Sequence, residues 1–141
     1  MNFSSVAAAL VFALLITPAP AWAQRTKAPE SAAVYFITPT NGAEVASPLI
    51  VNFGLKGLGV APAGTEKAAT GHHHLLIDQK LDDYGAPIPS DDKHKHFGGG
   101  QTETSIELAP GQHTLQLIVG DLNHIPHDPP IESETITITV K

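Results

Sequence analysis

No cysteine occurs anywhere in the 141 residues. Disulfides, a lipid-modified cysteine anchor, thiolate zinc sites and the sulfur ligand of blue copper are thereby excluded. The only methionine is Met1, so a chain that loses its N-terminus has no thioether for soft capture of Cu(I). Positive charge is scarce: 8 Lys and Arg against 14 Asp and Glu give a formal net charge of −6 with neutral histidines. The basic residues are scattered. Nucleic acid and anionic lipid surfaces need them clustered, so neither is an expected partner. A hydrophobic run of bilayer length is also missing. Val6 to Ile16 is unbroken but counts 11 residues, against the roughly 20 that a spanning helix requires.

That short run reads instead as the core of a cleavable signal peptide. Pro18 and Pro20 stop it, and Ala21-Trp22-Ala23 supplies a small-x-small cleavage pattern. No Lys or Arg precedes the run, a departure that leaves the α-amine as its only positive charge. Residues 1–23 are therefore expected to be the signal peptide, 24–32 a flexible lead-in, and 33–141 one domain. The location implied is periplasmic or secreted, with no membrane span after cleavage.

Along the domain the period is two. Ala33 to Thr38 is apolar, β-branched or aromatic and ends at Pro39-Thr40-Asn41-Gly42, a turn signal. Leu49, Val51, Phe53 and Leu55 alternate with Ile50, Asn52, Gly54 and Lys56. His72 to Asp78, Thr102 to Leu108, His113 to Val119 and Ile136 to Val140 read as further strands, with a weak one near Ala86 to Pro89. No long helical period is present. The expected fold is all-β, an immunoglobulin-like β-sandwich of about seven short strands. The stretches Thr38–Gly57 and Leu108–His124 resemble the first hairpin and the penultimate strand of bacterial immunoglobulin-like domains.

Histidine is what this chain has in excess. Seven of its eight histidines fall in three groups: His72-His73-His74, His94-Lys95-His96 and His124-Ile125-Pro126-His127. Residues i and i+2 of a strand share a face, so His72 and His74 can reach one ion while His73 faces the other way. Up-and-down connectivity would bring all three groups to one pole of the sandwich and leave His113 at the other. Imidazole with carboxylate favours Cu(II) or Zn(II). The expected ligands are His72, His74, His96, His124 and His127, with Asp121 or Asp128 as ligand or outer partner and His94 as a lesser candidate. The competing expectation is architectural: solvated histidines in loops, His124 and His127 bracing a proline-rich turn, and His73 and His113 packed at the core.

Other patterns are weaker. Phe97-Gly98-Gly99-Gly100 lacks the helix and lysine of a phosphate loop. Asp78, Asp82, Asp83, Asp91 and Asp92 do not have EF-hand spacing. Copper–zinc superoxide dismutases share a β-sandwich and an HxH strand, but this chain lacks their cysteines and the rest of their motif.

Four blocks carry a wider resemblance: Gly71 to Asp78, His96 to Glu103, Pro110 to Leu117, and Gly120 to Pro129. From about Tyr35 to Lys141 the chain resembles a bacterial exported family, domain of unknown function 4399. The resemblance implies a secreted or periplasmic domain and assigns no activity or ligand. The expectation is thus a non-enzymatic envelope domain that holds Cu(II) or Zn(II). Its alternative is a structural or interaction module whose partner is another envelope protein.

Overall fold

A computed structural model describes residues 24–141; the expected signal peptide, 1–23, lies outside them. Among the described residues there are nine strands and no helix: β1 (Ala33–Thr38), β2 (Glu44–Val45), β3 (Leu49–Lys56), β4 (Gly59–Val60), β5 (Thr70–Ile77), β6 (His94–His96), β7 (Glu103–Ile106), β8 (Gly111–Gly120) and β9 (Ile136–Val140). They form two sheets. The smaller has the order β1-β3-β7; the larger runs β2-β9-β8-β5-β4, with β6 also paired to β5. This is the all-β sandwich that alternation implies.

The core lies between the sheets. Leu49, Val51 and Phe53 of β3 point in from the small sheet, and Leu115, Leu117 and Val119 of β8 meet them from the large one with Ile136, Ile138 and Val140 of β9. Each such side chain, fully buried, contributes about 1.5–3 kcal/mol, which is how the domain holds together without disulfides.

One strand departs from simple alternation. From Gly71 to Ile77, β5 is buried on both faces. His73, Leu75 and Ile77 enter the main core. On the outer face Leu76 packs with Ile118 and Ile88 in a second small cluster bordered by Leu81 and Tyr84. The connection 78–93 folds over this face and covers it.

Two expectations need correction. No strand forms at Ala86 to Pro89: Pro87 and Pro89 have no N–H to give a ladder, and Ile88 instead plugs the second cluster, its N–H donating to the His124 carbonyl at 2.8 Å. His94–His96, expected in a connection, is itself a strand, antiparallel to β5 with His96 opposite His74. The lead-in makes defined contacts with the domain. Ala28 is buried, its N–H donates to the Asp128 carbonyl at 2.9 Å, and the Asp128 N–H donates to the Thr26 carbonyl at 2.9 Å. Arg25 adds bonds from its guanidinium to the carbonyls of Pro126 and His127.

Candidate metal centre

The outer face of the large sheet carries the site. His72 and His74 lie on β5, two residues apart and so on one face. The end of β6 brings His96 beside His74, and the turn after β8 brings His124 over the end of that strand. One ring nitrogen from each of these four histidines lies within 4.8 Å of every other. His72 and His74 are buried; His96 and His124 are half-buried and form the open side.

Two glycines make room for the rings. A Cβ at Gly120, opposite His72 in the ladder, would stand 2.9 Å from His74 Nε2 and 3.3 Å from the Cα of His124. A Cβ at Gly98 would stand 2.3 Å from His96 Cε1. Neither position tolerates a side chain while the four rings stay together.

The nitrogens are not satisfied by one another. His72 Nε2 faces His74 Nε2 at 3.0 Å and His124 Nδ1 at 3.2 Å. A neutral imidazole nitrogen either donates or accepts, so at most one of these contacts is a well-formed hydrogen bond, whichever tautomers are present. His74 Nδ1 and His96 Nε2 are buried without a hydrogen-bond partner. Buried polar atoms left so are uncommon, and each has a cost of about 1–3 kcal/mol. A cation among the rings would use lone pairs that protons cannot all serve.

Electrostatics keeps those lone pairs free. Burial, reinforced by repulsion from His124 and His96, holds His72 down at about 4; the carboxylate of Asp121 opposes this. Burial, then repulsion from His72, His96, His124 and His73, hold His74 at about 2. His96 is lowered too, by burial and then by His124. His72, His74 and His96 therefore stay neutral at neutral pH, the state in which imidazole ligates metal.

His124 is held with unusual firmness. Its φ is +66°, a left-handed conformation uncommon for residues other than glycine. Asp121 enforces it. One carboxylate oxygen accepts the N–H groups of Asn123 (2.8 Å) and Ile125 (3.0 Å), while its backbone carbonyl accepts the His124 N–H at 2.9 Å. The other carboxylate oxygen accepts the Thr26 hydroxyl at 2.6 Å. The N-terminal arm thus completes the support of a cluster residue.

Of the seven candidate residues, His72, His74, His96 and His124 come together and three do not. His127 is buried beside Gly71, with Nδ1 3.5 Å from the Val119 carbonyl. Asp121 is spent on the turn just described. Asp128 is exposed and lies 3.6 Å from Arg25. The lesser candidate His94 pairs with Asp91 at 2.9 Å. His113, at the far end of β8, bridges Asp78 (2.7 Å) and the Ala109 carbonyl (2.9 Å). Arg25, Thr26, Gly98 and Gly120 were not singled out as site residues from the sequence. An aspartate followed two residues on by Asn-His is a signal for the side-chain-to-backbone turn that Asp121 makes.

A family model described as a domain of unknown function (DUF4399) matches residues 51–141. The chain belongs to this family. The DUF4399 match runs from β3 to the C-terminus and contains all four clustered histidines, while β1 and the N-terminal arm precede it. No curated protein and no solved structure matches the chain.

Proposed function

We propose that this protein is an exported, non-catalytic metal-binding domain that holds one divalent transition ion, Cu(II) or Zn(II), on His72, His74, His96 and His124. The convergence of four ring nitrogens within 4.8 Å carries this reading. Neutral imidazole suits both ions, and no carboxylate belongs to the group. Export rests on the apolar run at Val6–Ile16 and the Ala21-Trp22-Ala23 pattern, with which the absence of cysteine is compatible. In the cell envelope such a domain would buffer, deliver or sense metal.

Thermal melting tests it. An ion that binds only the folded state stabilises by about 2.7 kcal/mol at a hundred-fold excess over Kd. Added Zn(II) or Cu(II) should raise the Tm by several degrees and chelator should reverse the rise. An unchanged Tm with both ions would leave the histidines architectural and favour an envelope interaction module.

A further inference from the structure

Resting on that reading, the placement of the four rings distinguishes between the two ions. An ion about 2.0–2.1 Å from each nitrogen lies about 3.2 Å from each ring centre. A tetrahedron then sets all six centre-to-centre distances near ~5.2 Å, whereas a square sets four near ~4.5 Å and two near ~6.4 Å. Five of the six observed distances fall between 4.8 and 5.1 Å: His72–His74, His72–His96, His72–His124, His74–His96 and His96–His124. The sixth, His74–His124, is 6.2 Å.

A planar site needs two long diagonals that share no residue. The diagonal matching His74–His124 would be His72–His96, which is 5.1 Å and no longer than the edges. The arrangement is a tetrahedron opened along one edge.

Gly120 backs that open edge. The Cβ it lacks would fall against both His74 and His124, so the backbone of β8 occupies the sheet side of the opening. Closing the edge by about 1 Å completes the tetrahedral set.

We propose that the centre is a closed, tetrahedral four-imidazole site whose resident ion is Zn(II). Zn(II) has a filled d shell and accepts the tetrahedral arrangement without penalty, whereas Cu(II) prefers a tetragonal one. Four protein ligands leave no coordination position for a reacting water, which is the pattern of structural rather than hydrolytic zinc. The ion would tie β5, β6 and the turn carrying His124 into one unit. Asp121, beside the cluster, supplies negative charge to a site whose ligands are all neutral.

Co(II) reports the geometry directly, because tetrahedral Co(II) absorbs visible light strongly and octahedral Co(II) weakly. The untagged protein, expressed from its full chain, is titrated with Co(II) and then with Zn(II). One Co(II) per chain with strong visible absorption, bleached by one equivalent of Zn(II) and absent in His74→Ala, is the expected result. Stoichiometric Co(II) with only weak absorption, or a tetragonal Cu(II) resonance signal together with failure of Zn(II) to displace Co(II), overturns the tetrahedral zinc site and leaves metal binding intact. No uptake of Co(II), Zn(II) or Cu(II) overturns both.

Discussion

His73 sits between two histidines of the cluster, yet its ring belongs to the apolar core. It packs against Phe53 with ring centres 5.1 Å apart, and neither ring nitrogen has a hydrogen-bond partner. Burial holds it at about 4, opposed by the backbone of Gln101. With His72 at about 4 and His74 at about 2, this fixes the acid behaviour of the metal-free protein. Between the ordinary value of 6.5 and about 4, the unfolded chain takes up protons at positions 72 and 73 that the folded chain refuses. The contribution of these buried rings to stability is therefore full above 6.5 and is lost as pH falls through that window, with His74 extending the loss toward pH 2. The raised value of His113, caused by Asp78 and the Ala109 carbonyl, has the opposite sign. Its stabilisation is present below 6.5 and is lost as pH rises through the raised value, so it does not mask the slope. The urea midpoint of the metal-free protein is expected to fall steadily from pH 6.5 to 4, less steeply in His73→Phe. A flat profile over that range would contradict the burial of these three rings.

At the scale of elements, alternation makes β3, β7, β8 and β9 legible, while β1 and β5 read as continuous runs, β5 because it is buried on both faces. The remaining strands have two or three residues, too few for any period. The β6 segment His-Lys-His has no strand-forming character of its own; β5 recruits it as a partner. The convergence of histidines was expected for a different reason from the one found. Loops meeting at a pole would have joined His127 to the group, whereas ladder pairing on a sheet face selects His96 and excludes it. Two-residue spacing on β5 was nevertheless enough to put His72 and His74 on one side and His73 on the other. The glycines are the element-scale test. Gly98 has no left-handed φ, and the atoms nearest to an added side chain there all belong to the His96 ring. Gly98→Ala should displace that ring, lowering metal affinity by at least tenfold by calorimetry while the metal-free protein keeps its Tm within about 2 °C. Unchanged affinity would remove His96 from the ligand set.

Across the whole molecule, the N-terminal arm and the histidine cluster are one structure. Thr26 holds Asp121, Asp121 holds the turn, and the turn sets His124 at its left-handed φ. A polar nine-residue lead-in with one proline reads as disorder in sequence, because its order comes from contacts with residues a hundred positions away. Asp121→Asn keeps the size of the side chain and weakens its charged hydrogen bonds. It is expected to reduce metal affinity by about 10- to 100-fold, with Thr26→Val changing it in the same direction by less. Equal affinity in both variants would show that His124 needs no such support.

The central claim is that four histidines on one sheet face hold one metal ion. The most direct test is isothermal titration of the untagged protein with Zn(II) at pH 7, alongside His72→Ala/His74→Ala and His127→Ala. One ion per chain with Kd below about 1 μM, equivalent to about −8 kcal/mol, is predicted for the parent and for His127→Ala, with binding abolished in the double variant. Binding that survives loss of His72 and His74, or a parent that binds no more tightly than the double variant, would contradict it.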